Sequence, residues 1–126
     1  MGHSDADVLV HAIMDSLLGA AALGDIGTHF PDNDTSLKDI DSLILLKKTA
    51  EILEKASFCV NNIDSTVVAQ APKIAPFIKE IRKKIANTLN IDISCINVKA
   101  TTTEHLGFEG RKEGISAYSV ATVIQK

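Results

Sequence analysis

The sequence predicts an α+β fold, a two-layer sandwich of helices on a mixed β-sheet, and three patterns carry that expectation. Apolar residues recur at helical spacing over 5–23, 39–56 and the stretch beginning near Pro76. β-branched or alternating residues fill 58–70, 96–103 and 114–125. The resulting order of helix, helix, strand, helix, strand, strand suits two layers around one core. At 126 residues the chain is one domain, 1–126.

The first helix is expected over 5–23, stopping at Gly24. Ser4 followed by Asp7 resembles a capping box in which Asp takes the place of Glu. The segment is apolar nearly all round, which implies burial on more than one side. Against that background Asp7, His11 and Asp15 stand at i, i+4 and i+8, so they share one stripe. A polar stripe on a buried helix has to be satisfied by a site or a subunit interface.

The second helix places Leu43, Leu46, Ala50 and Leu53 inward. A strand over 58–70 follows, with a break expected at Asn61 and Asn62. The third helix turns Ile78, Ile81, Ile85 and Leu89 inward and leaves KEIRKK as a solvated outer face. INVKATTT alternates with period two. GISAYSVATVIQ is apolar on both sides and is expected to be central in the sheet or at an interface.

Composition narrows the function classes. Aromatic residues make up 4% of the chain, so the core is aliphatic. A formal net charge of −3 argues against a nucleic-acid partner, which calls for a basic face. The apolar run over 8–23 contains His11 and Asp15 and is short for a bilayer span, which argues against a membrane partner. Acidic residues occupy the start, where a secretory signal would be basic, and Cys59 and Cys95 lack metal-type spacing. These features fit a reducing cytosol.

Three stretches can carry chemistry. In LGDIGTHFPD, Gly24 and Gly27 flank Asp25, so the backbone can turn tightly against a ligand; a helix end followed by a plain polar loop is the simpler reading. AQAPK lies where a strand hands over to a helix, and its small side chains leave backbone groups open to the edge of a flat base. The same residues also suit an ordinary turn with Pro72 leading into a helix. KATTTEHLGFEGR sets three hydroxyls beside a glycine-bearing loop, competent to hold phosphate oxygens, with Glu104 available to a hard divalent cation. A threonine run is equally good strand chemistry. His11 taken alone suits a satisfied helix histidine better than a metal ligand.

Together HSDADVLVHAIMDSLLGAAALGDIGTHFPDND, AQAPK and KATTTEHLGFEGR stand in the order and spacing of the 2-C-methyl-D-erythritol 2,4-cyclodiphosphate synthases, a family the chain resembles over essentially its whole length. The resemblance implies an intramolecular phosphoryl transfer in non-mevalonate isoprenoid biosynthesis. The 2-phosphate of 4-diphosphocytidyl-2-C-methyl-D-erythritol 2-phosphate attacks the β-phosphate, and CMP leaves. It also implies a lyase with two ions, Zn2+ and either Mg2+ or Mn2+.

Carried over by position, His3 and Thr102 become the catalytic pair that stabilises the transition state, and Ser4 joins His3 on the methylerythritol phosphate. Asp25, Ile26, Gly27, Phe30, Pro31, Asp32, Asn33 and Asp34 form the substrate loop. Ala69, Gln70, Ala71, Pro72, Lys73, Ile74 and Ala75 hold cytosine. Thr101, Thr103 and Glu104 serve the diphosphate, and Glu104 the second metal. His11 matches the zinc ligand, while Phe108 and Arg111 match positions near a central cavity. The resemblance further implies a homotrimer, with sheets packed around the three-fold axis and active sites between neighbours, in a bacterial cytoplasm or a plastid stroma.

Two departures modify these expectations. Family members carry an Asp-x-His strand before the HSD segment, which this sequence does not show, so weak zinc binding and little or no cyclase activity are expected. A non-catalytic nucleotide- or diphosphate-binding module, or a trimeric interaction module, is the alternative. Tyr118 stands where the family has an acidic partner for Arg111.

Overall fold

Helix α1 (Gly2–Ala20) is the spine of the fold. The computed structural model describes residues 2–37, 40–69, 74–102, 107 and 115–126, with the side chains of 2–5 outside the described part. Leu9, Val10, Ile13, Met14, Leu17 and Leu18 of α1 are all buried, two successive positions every four residues. Each such side chain contributes roughly 1.5–3 kcal/mol of burial free energy.

Both ends of α1 differ from the sequence expectation. The helix begins at Gly2, so Ser4 lies inside it rather than at its cap. Asp7 is engaged elsewhere, its carboxylate accepting the Ser42 hydroxyl at 2.7 Å, and this tertiary partner displaces the local capping box. At the other end the helix stops at Ala20 rather than Leu23. Ala22 takes the left-handed conformation at φ 56, its N–H bonds Gly19 O at 3.0 Å, and the Leu23 N–H reaches back to Leu18 O at 2.9 Å. This is the paired closure usually built on glycine. Gly24 follows at φ 92, a value strained for any residue with a Cβ.

A four-residue helix, α2 (Ile26–His29), occupies what the sequence suggested was a plain loop. Helix α3 (Ser42–Lys55) is capped by Asp41, whose carboxylate accepts the Leu43 N–H at 2.8 Å. It buries Leu46, Thr49 and Leu53. Helix α4 (Ile78–Leu89) is entered through a tight turn at Ala75–Phe77 and closed by Asn90 at φ 56. Arg82 departs from the solvated face expected of KEIRKK. Its guanidinium donates to Ile96 O at 2.7 Å and Ile93 O at 3.0 Å, clipping α4 to the strand that follows.

Among the described residues the sheet has three strands, β1 (Phe58–Val68), β2 (Ile96–Thr101) and β3 (Ser116–Gln125), in the order β2-β1-β3. β1 pairs parallel to β2 and antiparallel to β3, which makes the sheet mixed. Of the two positions expected for the last strand, central or at an interface, the central one is corrected: among the described strands β1 lies between β2 and β3. The two-sided apolar pattern of β3 has another origin. Ala117, Ala121 and Val123 face the core. Tyr118, Val120 and Ile124 face outward and are 64%, 72% and 51% exposed. The expected break at Asn61–Asn62 is a bulge inside one continuous strand, where the register shifts between Val60 and Asn62.

Ile63, Val67, Ile96 and Val98 are buried against the helices, while Asn97 and Lys99 are exposed on the opposite face. The helices therefore cover one face of the sheet, and among the described residues the other is open. Among the described residues, no helix is long and apolar enough to cross a membrane.

Candidate functional site

A cavity of about 620 Å³ opens between α1, α2 and the start of α3. That volume lies within the ~300–1,000 Å³ range of small-molecule sites. Helix α1 contributes Asp7, His11 and Met14, spaced so that they fall on one side of the helix. Ile26 and Gly27 of α2, with Phe30 just beyond it, form a second wall. Pro31, Asp32, Asp34 and Thr35 form the rim. Leu37, Ile40 and Leu45 supply an apolar floor beside Ser42.

The loop is held by its own carboxylates. Asp25 caps α2, accepting the Thr28 N–H at 2.9 Å and the Thr28 hydroxyl at 2.8 Å. Those hydrogen bonds, with the nearby His29 ring adding to them, hold the Asp25 carboxyl below its usual range. Asp34 accepts the Ser36 hydroxyl at 2.6 Å and the Ser36 N–H at 3.0 Å, which lowers its carboxyl in the same way. The Asp15 carboxylate, on the α1 stripe, receives the Ile26 N–H at 2.9 Å. His29 Nε2 donates to Leu23 O at 2.7 Å, so that nitrogen carries the proton. The polar stripe of α1 is thus satisfied within the chain at two of its three positions, Asp7 through Ser42 and Asp15 through Ile26. The third, His11, is exposed at the cavity.

The charge of the wall decides what it can hold unaided. Among the described residues that line it are three carboxylates and one imidazole, and no lysine or arginine. A diphosphate placed there needs positive charge from outside this wall, either a divalent cation or basic groups of another segment or copy. Among the described residues, no three His, Cys, Asp or Glu side chains stand together so as to hold a metal ion. A catalytic zinc site takes three protein ligands. The described donors therefore do not complete one around His11.

Of the sequence-predicted site residues, the cavity gathers His11, Ile26, Gly27, Phe30, Pro31, Asp32 and Asp34. Asp25 stands behind them as the cap of α2, and Asn33 lies in the rim turn. Ala69 and Thr101 form a separate group. The Ala69 N–H donates to Thr101 O at 3.1 Å, so the segments leaving β1 and β2 emerge side by side at the carboxyl ends of two parallel strands. Ile74 and Ala75 lead into α4, and Thr102 directly follows β2. None of these lines the His11 cavity within one chain. Gln70, Ala71, Pro72, Lys73, Thr103, Glu104, Phe108 and Arg111 lie outside the described residues, as do the side chains of His3 and Ser4.

The sequence reading set Asp7 on the stripe that faces a site or an interface, and the cavity bears that out; it missed Ser42 as part of the wall. Asp7 was visible as the i−4 neighbour of His11, whereas nothing local marks Ser42, whose role comes from a contact 35 residues away. Their hydrogen bond stands between this cavity and a smaller one of about 380 Å³ bounded by α1, α3 and α4.

Comparison with known proteins adds the following. A family profile described as the YgbB family matches residues 1–124. The 2-C-methyl-D-erythritol 2,4-cyclodiphosphate synthase of Desulforamulus reducens is 61% identical over 125 residues, covering 99% of this chain and 80% of the relative. The synthase of the same name from Syntrophomonas wolfei is 62% identical, with the same coverage. Among solved structures, the bifunctional IspDF of Campylobacter jejuni superposes with a TM-score of 0.90 at 45% identity, over 94% of this chain and 32% of that one. The CDP complex of Plasmodium falciparum IspF superposes with a TM-score of 0.82 at 39% identity, over 94% of this chain and 71% of that one.

Proposed function

The chain belongs to the YgbB family, and on that premise we propose that it catalyses the cyclisation its relatives are named for. The substrate is 4-diphosphocytidyl-2-C-methyl-D-erythritol 2-phosphate. An oxygen of the 2-phosphate forms a bond to the β-phosphorus. The bond from that phosphorus to the oxygen shared with the α-phosphate breaks, and CMP departs with the electron pair. The observation that carries this reading is the convergence, in one cavity, of His11 with Ile26, Gly27, Phe30, Pro31, Asp32 and Asp34, the segments that match the family's substrate loop.

The nucleophile is tethered to its electrophile, so the protein's task is to position the two and to neutralise charge. The apolar floor excludes water, and α2 with its capped turn fixes the wall that the chain folds around the ligand. In this reading His11 faces the phosphates, while Thr102 and His3 donate to the oxygens on which charge grows. Loss of one such donor costs ~3 kcal/mol of transition-state stabilisation. His11 as zinc ligand and Glu104 as ligand for Mg2+ or Mn2+ belong to the same proposal. The described donors do not complete a zinc site.

Two features support a homotrimer with shared sites. The cavity and the β1/β2 strand ends are separate in one chain, so a neighbour's strand ends, with the cytosine segment 69–75, complete the site in the assembly. The open sheet face, with Tyr118, Val120 and Ile124 exposed, supplies the packing surface around the axis. We place the reaction in the cytoplasm.

The reaction is tested by incubating the protein with the substrate and Mg2+ and following products by phosphorus NMR. Cyclic diphosphate and CMP in equal amounts would establish the reaction, against the little or no cyclase activity expected from the sequence. The described donors do not complete a zinc site, which favours one other reading, binding of a nucleotide without turnover. A rise in melting temperature with CDP and no product in the same samples would establish that instead.

A further inference from the structure

Asp15 is not part of the cavity wall, yet it is hydrogen-bonded to it. Its carboxylate leaves α1 and takes the N–H of Ile26, the first residue of α2. Asp25 takes the next available donors, the Thr28 N–H and hydroxyl. At the far end of α2, His29 Nε2 grips Leu23 O. Helix α2 is four residues long, too short to be stable on its own account. It buries none of its residues. Ile26, and Phe30 just beyond the helix, are partly buried against the core, and among the polar ties Asp15 alone reaches from the core-packed α1 to α2. The residues so held, Ile26 and Gly27, with Phe30 bonded through its N–H to Ile26 O at 2.7 Å, are one whole wall of the cavity.

We propose that Asp15 is a positioning residue: it docks the short helix α2 onto α1 and thereby sets the wall formed by Ile26, Gly27 and Phe30 before the ligand arrives. The inference rests on the cyclisation reading for its kinetic consequence but not for its structural one. With Asp15 in place the wall is preorganised. Without it, the ligand must order the segment as it binds, and affinity falls while the chemical step, once the site is assembled, changes little.

The test uses Asp15→Ala and Asp15→Asn in the full chain. Asp15 is exposed, so neither substitution disturbs the buried face of α1. In Asp15→Ala the amides of Ile26–Phe30 are expected to exchange at least tenfold faster, KM to rise about tenfold, and kcat to change less than threefold. The asparagine keeps an oxygen acceptor for the Ile26 N–H and is expected to restore most of both the protection and KM. Unchanged amide protection in Asp15→Ala overturns the tether. Faster exchange with an unchanged KM, or a fall confined to kcat, overturns the positioning role. A wild-type chain that releases no CMP would refute the cyclisation instead, and amide exchange then decides the tether by itself.

Discussion

Removing the Ser42 hydroxyl tests how α1 and α3 are joined at the partition between the two cavities. Ser42 Oγ donates to Asp7 Oδ1 at 2.7 Å, and Ser42 is 8% exposed. A hydrogen bond to a charged acceptor contributes about 1.5–3 kcal/mol net. Asp7 is exposed, so water replaces part of the lost bond and the figure falls to ~1 kcal/mol. Alanine in the first turn of α3 returns a few tenths through helix propensity. Ser42→Ala should therefore destabilise by ~0.5–1 kcal/mol, a fall of roughly 2–5 °C in melting temperature for a domain of this size. The assay is urea denaturation of wild type, Ser42→Ala, Asp7→Ala and the double variant at one protein concentration. The cycle should return a coupling of ~1 kcal/mol. Additivity within ~0.3 kcal/mol would show that the two side chains act independently and refute the argument.

Three further outcomes are expected. Leu17→Ala, at a fully buried site in α1, should cost ~3–5 kcal/mol in chemical denaturation, because it removes apolar area and leaves a void. Ala22→Gly should raise stability by about 0.5–1 kcal/mol in the same assay, since glycine holds the left-handed turn without the Cβ penalty. On acidification, Asp25 and Asp34 hold carboxyls depressed below the ordinary 3.8, so their contribution is complete above that value and is lost as pH falls through the depressed range. Amide exchange over 26–37 should therefore accelerate below pH 3.8 while the α1 amides stay protected.

How far the sequence could be read depended on the range of the physics involved. Periodicity is local, so α1, α3, α4 and the three strands were all visible, and even the break at Asn61 was seen, as a disruption if not as a bulge. Helix α2 spans little more than one turn and shows no period to detect. Strand order is set by packing between distant segments, and the two-sided apolar pattern of β3, which reads as a central or an interface strand, belongs among the described strands to an edge whose outward side chains are exposed. The same divide runs through the site. His11 and the loop 25–34 were marked by an i, i+4 pattern and by glycine, proline and aspartate chemistry. The links that set their geometry, Asp7 with Ser42, Asp15 with Ile26 and Arg82 with the start of β2, join residues with no local signature.

The proposed cyclisation requires that the His11 cavity be the place where a cytidine diphosphate is held. Isothermal titration of CDP in the presence of Mg2+ into wild type and His11→Ala tests this most directly. His11 is exposed on α1, and alanine favours the helix, so the variant should melt no lower than wild type. Saturable binding to wild type, weakened about tenfold or more in His11→Ala, is the predicted result. Equal affinity in the two proteins, or no binding to wild type, would contradict it.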